Sequence, residues 1–180
     1  MTFPNLETNR LKLVEVIDMY SEPFYEMMSL DEVTHYYGME SLKSMEQANK
    51  VIDSFRDSWS QKRGIRWAMV RKDDNKFIGT IGLNNLVLSH KRTEVGYEIH
   101  PSYWRSGYTS EALQRVIEYC FEELQLIRIG AFVYTANDAS SALLKKLGFV
   151  QEGLLRSYYY QRGTGQDVYV YSRLNTEKQS

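Results

Sequence analysis

The sequence predicts one α+β domain built on a mixed, mostly antiparallel sheet of about seven strands, with helices on its faces. The first observation is the composition: 180 residues, 43% hydrophobic and 25% charged, suffice for one core and are too few for two. The second is a series of short segments in which apolar and polar residues alternate. The third is an amphipathic helix between two such segments, because a strand–helix–strand order requires a crossover and a locally parallel pair. The chain contains no internal repeat or linker, so we expect residues 1–180 to form this single domain.

In the first half of the chain, hydrophobic periodicity predicts three strands and two helices. Residues 10–16 alternate apolar and polar side chains, which is typical of a half-buried strand. Ser44 is a favourable N-cap for a helix whose apolar residues recur at three- and four-residue steps. Asp73, Asp74 and Asn75 are typical of a hairpin turn. The predicted elements are a strand at 10–16, helices at 21–28 and 45–61, and strands at 65–72 and 76–86.

In the second half, one long apolar stripe predicts a helix over 107–124 between two strands. Gly148 is placed to end a shorter helix that follows. The last two strands flank a turn at Gly163–Gly165. The predicted elements are a strand at 92–101 closed by Pro101, the helix at 107–124, a strand at 127–134, a helix at 139–148, and strands at 150–160 and 167–174.

Composition and charge exclude several classes of function. The formal net charge is -1, with basic residues scattered among acidic ones, which argues against a bulk electrostatic contact with nucleic acid. No apolar stretch reaches the roughly 18–20 residues that span a bilayer, and no signal-peptide pattern is present, so we expect a cytoplasmic protein with no membrane partner. The single Cys120 lies on the apolar stripe and is interpreted as a core thiol. The three histidines have no metal-ligand spacing, and no metal site is expected.

The start of the long helix carries a dense group of polar residues. The first turn of a helix leaves backbone N–H groups unpaired and adds a partial positive charge, which attracts phosphate. Gly107 permits close approach of a ligand to the backbone, Ser106, Thr109 and Ser110 supply hydroxyl donors, and Arg105 supplies a cation. This group predicts a pyrophosphate cradle. The alternative interpretation is a capped helix start with incidental polar residues.

The run TEVGYEIHPSYW followed by RSGYTSEA, residues 93–112, resembles the acetyl-CoA signature of the GNAT superfamily of N-acetyltransferases. It most resembles the branch that acetylates ribosomal-protein N-termini. Trp104 stands at the first signature position, Gly107 at the fourth and Thr109 at the sixth. Arg105 stands where this branch usually has glycine, and Thr109 where it usually has alanine. The likeness covers nearly the whole chain, because four further segments resemble the branch in order: TNRLKL, FIGTIGL, NDASSALLKKLGF and EGLLRSYYYQRGTGQDVYVYSRL.

The resemblance implies that acetyl-CoA is the co-substrate and that two central strands splay apart to hold it. The strand ending near His100 and the strand starting near Ile129 are expected to diverge at a bulge, with the pantetheine arm paired to Ile99 in the gap. A backbone N–H of Ile99 or His100 then donates to the thioester oxygen. Asn137 matches an asparagine that hydrogen-bonds this arm, although Asn is also a common N-cap. The expected cofactor-binding residues are Ile99, Arg105, Ser106, Gly107, Tyr108, Thr109, Ser110 and Asn137.

Two glutamates and one serine are the candidate catalytic residues. An amine attacks only as the free base, and a carboxylate acting through a water is sufficient for an α-amine. Glu94 matches the acidic position of the resembled family, and Glu98 is the second candidate; either is also explained as a solvated strand carboxylate. The two share one face of a regular strand, a parity that a bulge would break. Many GNAT enzymes have, at the position of Leu144, a tyrosine that assists the departing CoA thiolate. Because this chain lacks it, Ser140 is the candidate for a hydroxyl near the sulfur; the alternative interpretation is an ordinary hydroxyl in the first turn of a helix.

The leading hypothesis is an enzyme that transfers acetyl from acetyl-CoA to a protein N-terminal α-amine by direct attack within a ternary complex. The acceptor site is expected between the N-terminal helices and the final strand pair. A second hypothesis is acetylation of a small amine: a polyamine, an amino acid or an aminoglycoside. A third is a non-catalytic, CoA-binding regulatory module, suggested by the altered loop and the absent tyrosine. The sequence leaves open whether the protein is a monomer or a homodimer.

Overall fold

Eight strands form one sheet in the computed structural model, which describes residues 2–176. The order across the sheet is β1-β2-β3-β4-β5-β6-β8-β7, and all neighbours are antiparallel except β5 and β6. The strands are β1 (Leu6–Glu7), β2 (Leu11–Glu15), β3 (Ile65–Arg71), β4 (Phe77–Val87), β5 (Arg92–Ile99), β6 (Arg128–Tyr134), β7 (Val150–Gln161) and β8 (Thr164–Leu174). The mixed, mostly antiparallel sheet is therefore confirmed, with one strand more than the seven predicted. The additional strand is β1, whose two residues are too few to show an alternating pattern.

Four of the five α-helices lie where periodicity predicts them. They are α1 (Ser21–Met28), α2 (Asp31–Thr34), α3 (Met45–Ser60), α4 (Tyr108–Glu118) and α5 (Asp138–Lys146). Ser44 caps α3 by accepting a hydrogen bond from the backbone N–H of Gln47. The one-turn α2 has no sequence period and was not predicted. The stripe predicted to run to Leu124 continues beyond α4 as a π-helical turn over Tyr119–Glu123.

Helices cover both faces of the sheet, which explains why residues 65–70 of β3 are buried without interruption. Successive side chains of a strand point to opposite faces. Trp67 joins the core cluster that contains Leu113 of α4. Ala68 joins the cluster on the other face, which contains Phe24 of α1 and Ile52 of α3. Within residues 2–176, no helix is both long and apolar enough to cross a membrane.

The predicted splay between the two central strands is present. β5 and β6 pair over only three positions, Arg92↔Arg128, Thr93↔Ile129 and Glu94↔Gly130, and β6 then continues along β8. Beyond Glu94, β5 keeps a regular ladder with β4 as far as Ile99. The irregularity lies in β4, between Asn84 and Val87, and not in the splayed part of β5. The parity of β5 therefore holds, with Glu94 and Glu98 on one face.

Candidate active site

A cavity of about 550 Å³ opens at the splay and brings most of the predicted site residues together. It contains every expected cofactor-binding residue except Ser106, and two of the three candidate catalytic residues, Glu98 and Ser140. Glu94 does not line it. The lining residues are Glu32, Val33, Tyr36, Tyr37, Tyr97, Glu98, Ile99, Tyr103, Trp104, Arg105, Gly107, Tyr108, Thr109, Ser110, Asn137, Ala139, Ser140 and Leu143.

The start of α4 presents backbone donors to this cavity. Gly107 is the N-cap residue, with φ of +79°, a left-handed conformation that favours glycine. Because Gly107 has no side chain, it cannot cap the N–H groups of Tyr108, Thr109 and Ser110 that follow it. The first intrahelical bond is made by the N–H of Glu111 to the carbonyl of Gly107, at 3.1 Å. The helix end therefore has the unpaired donors and the dipole charge that attract an anion.

Arg105 also has a left-handed backbone, with φ of +58°. Only glycine adopts this conformation without a steric cost from its Cβ. The position is the one at which the resembled signature usually has glycine, so the conformation gives that preference a physical reason. Here an arginine occupies the same conformation, with its side chain exposed at the mouth of the cavity.

Replacing Arg105 with glycine is expected to raise the free energy of unfolding by roughly 0.5–1 kcal/mol, because the backbone strain disappears. Urea denaturation measures this change. Arg105→Ala is the matched control, since it removes the charge and keeps the strained backbone. A weaker acetyl-CoA affinity in both variants assigns a role to the guanidinium, and an Arg105→Gly variant less stable than the wild type contradicts the strain argument.

Arg10 braces the loop before α4, a role that sequence reasoning missed. Its Nη1 donates to the carbonyl of Ser106 at 3.0 Å, and its Nε donates to Glu111 Oε2 at 2.7 Å. The guanidinium also lies 4.2 Å from the centre of the Tyr108 ring. Partial burial raises the pKa of Glu111, but hydrogen bonds from Thr8 and Arg10 outweigh it and hold the pKa below its usual value. The loop is thereby tied to Arg10, the residue directly before β2, and Arg10 is held in turn by the Glu111 carboxylate.

The backbone of β5 offers donors to the gap beside β6. The N–H of His100 donates to the carbonyl of Ile78 at 2.8 Å, so that amide belongs to the ladder with β4. Amides of neighbouring residues in an antiparallel strand face opposite ways, so the N–H of Ile99 faces the gap. Of the two amides predicted near the thioester, only that of Ile99 is free of β4. The Ile99 carbonyl accepts a hydrogen bond from Trp104 Nε1 at 3.0 Å.

Glu98 is buried at the wall of the cavity, only 5% exposed. Burial raises the pKa of its carboxyl, and Arg66, Thr80 and Tyr37 oppose part of that rise. The Thr80 hydroxyl donates to Oε1. Arg66 Nη1 lies 3.6 Å from Oε2, and Oε2 accepts no hydrogen bond from any other part of the chain that the structure describes. Glu98 is therefore a buried carboxylate of the cavity wall, bonded by Thr80 at one oxygen and facing Arg66 at the other.

The structure separates Glu94 from this group. Glu94 pairs with Gly130 at the closed end of the splay and lines a different cavity of about 500 Å³. Asn85 Nδ2 donates to Glu94 Oε2 at 2.8 Å. The rise of a strand puts the Cα atoms of Glu94 and Glu98 roughly 13 Å apart. The two glutamates share a face but do not share a site.

The start of α5 completes the cavity. Asn137 Oδ1 accepts a hydrogen bond from the backbone N–H of Ser140 at 3.2 Å, which confirms the N-cap interpretation of Asn137. The Ser140 hydroxyl lies 2.7 Å from the Tyr97 hydroxyl. Leu144, at the position where many GNAT enzymes have tyrosine, is fully buried in the core. Tyr97 was not identified from the sequence, because its contact with Ser140 joins residues 43 positions apart.

The other end of the cavity is formed by the segment around α2, which Gln161 holds in place. Gln161 is 3% exposed, and its Nε2 donates to the carbonyls of Thr34 at 2.9 Å and Met39 at 2.7 Å. The hydroxyl of Tyr134 donates to Gln161 Oε1 at 2.7 Å. These bonds join the last residue of β7 to the segment that carries Tyr36 and Tyr37. β7 therefore supports the segment around α2, but among the described residues neither β7 nor β8 lines the cavity itself.

Comparison with known proteins identifies the family. Residues 10–150 match the family described as "Acetyltransferase (GNAT) domain". The chain is 49% identical over 170 residues to a Bacillus subtilis protein named uncharacterized N-acetyltransferase YoaA, covering 94% of this chain and 96% of that one. It is 24% identical over 168 residues to the ribosomal-protein-serine acetyltransferase of Escherichia coli K12, covering 91% and 92%.

Two solved structures share the fold. RimL, a ribosomal L7/L12 α-N-protein acetyltransferase in complex with coenzyme A, has a TM-score of 0.87 at 17% identity, over 95% of this chain and 98% of its own. Spermidine N-acetyltransferase from Vibrio cholerae, in complex with CoA and spermine, has a TM-score of 0.82 at 20% identity, over 92% and 96%. Together with the family match and the cavity at the splay, these likenesses show that the chain belongs to the GNAT family and is an acetyl-CoA-dependent N-acetyltransferase.

Proposed function

We propose that this protein acetylates the α-amino group of a protein N-terminus by direct attack within a ternary complex. The observation that carries the proposal is Glu98, a buried carboxylate that lies in the same cavity as the Ile99 amide and the start of α4, with Arg66 3.6 Å from its Oε2. At pH 7, deprotonation costs about 1.4 kcal/mol for an α-amine and about 4.6 kcal/mol for a lysine side chain. A single carboxylate acting as the general base is therefore sufficient for an α-amine.

The residues at the splay fit acetyl-CoA. The N–H groups of Tyr108, Thr109 and Ser110 are the donors for its diphosphate, and Gly107 leaves the approach to them open. The unpaired edge of β5 beyond Glu94 offers backbone groups to the pantetheine arm, as a strand would use them. The N–H of Ile99 is placed to donate to the thioester oxygen and to stabilise the negative charge that develops there.

We assign the base role to Glu98 and not to Glu94. Glu98 lies next to Ile99 and lines the cavity that contains the cofactor residues, whereas Glu94 lines another cavity. The raised pKa of Glu98 suits proton transfer near neutral pH better than an ordinary carboxyl does. Arg66 allows the buried Glu98 carboxyl to ionise, because a carboxyl at this depth with no positive charge nearby would keep its proton.

Replacing Thr80 with valine is expected to move the acid limb of kcat/KM to higher pH. Glu98 must be deprotonated to act, so the rate falls as pH falls through its pKa. The Thr80 hydroxyl bond lowers that pKa, and its loss raises it further. A pH profile measures the limb, with Thr80→Ser as the control that retains the hydroxyl. If the acid limb of Thr80→Val stays in place or moves to lower pH, Glu98 is not the base.

The acceptor end of the cavity supports a peptide N-terminus over a polyamine. A polyamine favours a cleft lined mainly by acidic groups. At this end of the cavity the two carboxylates, exposed Glu32 and buried Glu98, are outnumbered by Val33, Tyr36 and Tyr37. Tyrosine rings give flat apolar walls with a polar tip, suited to a short peptide. RimL and the Escherichia coli enzyme, which act on ribosomal proteins by name, support the same acceptor class. The Vibrio cholerae enzyme makes spermidine the second candidate.

Incubation with isotopically labelled acetyl-CoA tests the acceptor. The substrates are peptides from a cell lysate with free N-termini, a matched set with blocked N-termini, and spermidine and spermine. We expect label on α-amines, read by mass spectrometry, and little on lysine side chains. Labelled spermidine with unlabelled peptides assigns the enzyme to small amines. Acetyl-CoA alone is expected to raise the thermal midpoint, because it binds the folded protein.

A further inference from the structure

β7 forms one edge of the sheet and is exposed along most of its length. It is the last strand in the order across the sheet, and among the described strands it pairs with β8 alone. Every residue of 150–158 is exposed. Leu154 and Leu155 are adjacent and therefore point to opposite faces, so apolar surface is exposed on both sides of the strand. A 12-residue edge strand with this much exposed apolar surface is a template for pairing with another strand.

Charged groups of opposite sign lie on the two sides of Leu154. Hydrogen bonds from Arg128 and Ser172 lower the pKa of Glu152 to about 2, so its carboxylate is ionised at neutral pH. Arg156 is exposed beside a shallow surface hollow of about 730 Å³, and its guanidinium has no hydrogen-bonding or ionic partner within residues 2–176. The strand therefore carries an anion two residues before Leu154 and a cation two residues after it.

This arrangement makes β7 complementary to a second copy of itself. In an antiparallel pair of identical strands related by a two-fold axis normal to the sheet, one residue lies opposite itself, and residues equally far from it face each other. With Leu154 on the axis, Glu152 lies opposite Arg156 of the other copy, and this ion pair occurs twice. Val150 then lies opposite Tyr158, which adds two apolar pairs.

Neighbouring registers lack this complementarity. An axis one residue earlier puts Val150 opposite Arg156, and an axis one residue later puts Leu154 opposite Arg156. Both place a guanidinium against an apolar side chain and leave Glu152 without a cation from the other copy. The charge pattern therefore selects the register with Leu154 on the axis.

We infer that β7 is a dimer interface, in which two copies of this chain pair their β7 strands antiparallel about a two-fold axis at Leu154. The pairing joins two eight-stranded sheets through backbone hydrogen bonds and gives Arg156 of each copy the Glu152 carboxylate of the other. The ladder of β7 with β8 is irregular within 151–153 and again within 155–159, so each copy's first irregularity lies against the second one of the other. No described residue of β7 lines the catalytic cavity, so both active sites stay open.

Sedimentation of the full chain and of charge variants at the axis tests this interface. We expect the wild type at twice the chain mass of 21.1 kDa. Leu154→Lys and Leu154→Glu each place two like charges opposite one another, so each should weaken the dimer by about 100-fold or more. An equimolar mixture of the two variants should recover the dimer, because unlike charges then meet at the axis, and this recovery also shows that both variants fold. Met19→Lys, a matched change at an exposed apolar residue outside β7, should remain dimeric.

Cross-linking of Leu154→Cys tests the register. Residues directly opposite in a strand pair have Cβ atoms about 4.5–5.5 Å apart, close enough for a disulfide after a small adjustment. Cys120 is buried, so the wild type should not cross-link under mild oxidation. We expect Leu154→Cys to form a covalent dimer at least about tenfold faster than Met19→Cys. A wild type that stays monomeric up to millimolar concentration, a mixture of charge variants that stays monomeric, or equal cross-linking rates in the two cysteine variants overturns the inference.

Discussion

Replacing Glu98 with glutamine is expected to lower kcat/KM for the amine acceptor by about 100-fold or more at pH 7. Glutamine has nearly the same shape as glutamate and cannot accept a proton. The acetyl-CoA affinity should change little, because the proposed cofactor contacts are backbone groups of Ile99 and of the start of α4. Steady-state kinetics with the labelled acceptor, together with calorimetric titration of acetyl-CoA, measure both quantities.

Glu94→Gln is the matched control for this variant. Glu94 is the same residue type on the same strand face, but it lines the other cavity and already accepts a hydrogen bond from Asn85. We expect less than about a threefold change in kcat/KM. A larger loss in Glu94→Gln than in Glu98→Gln would falsify the assignment of the base. Thermal unfolding of both variants shows whether a lost rate reflects a lost fold.

The surroundings of Glu98 balance two opposing effects. Complete burial of a carboxylate raises its pKa strongly, which would leave a protonated acid that is useless as a base. The Arg66 guanidinium opposes this rise and is itself held by the Gly96 carbonyl at 3.2 Å and Asn84 Oδ1 at 3.1 Å. Removing one partner of a buried ion pair costs about 3–5 kcal/mol. Arg66 is therefore a poor site for testing catalysis, and Thr80 is the better one.

Much of the fold follows from local sequence pattern. The strand alternation of β2, the paired apolar runs of β3 and β4, and the stripe of α4 are properties of neighbouring residues and can be recognised without tertiary information. The short elements β1 and α2 depend instead on their contacts. Leu6 of β1 pairs with Leu13, and Gln161 holds the carbonyl of Thr34 at the end of α2. No local pattern encodes such contacts.

The sequence alone indicates the start of α4 as a candidate anion site, but it leaves open which glutamate side chain acts as the base. The polar start of α4 lies in one continuous stretch, so its residue types already indicate an anion site. The choice between Glu94 and Glu98 depends on depth of burial and on Arg66, Thr80 and Tyr37, which come from three other segments. The sequence alone could not decide it. The alternation along β5 correctly puts both glutamates on one face of the strand, so it could not distinguish them.

Replacing Gly107 with valine is expected to weaken acetyl-CoA binding by about 30-fold or more. The position has φ of +79°, which a β-branched residue avoids at a cost of about 1–3 kcal/mol. An added Cβ would also lie 3.4 Å from Arg10 Nη2, the side chain that braces the loop. The 3.4 Å contact is an ordinary one, so the loop shifts to relieve the backbone strain, and the N–H groups of Tyr108 and Thr109 then lose their common direction. Calorimetric titration measures the affinity.

Gly163→Val is the control for backbone strain. Gly163 lies in the turn between β7 and β8 with φ of +77°, and a Cβ added there would have no described atom beyond its chain neighbours within 4 Å. It therefore shares the conformational cost of Gly107→Val without touching the cavity. Both variants should lose a similar amount of stability, and only Gly107→Val should lose acetyl-CoA affinity. Equal acetyl-CoA affinities in the two variants would place the diphosphate away from α4, because displacement of the first-turn amides must weaken the binding of a ligand that they hold.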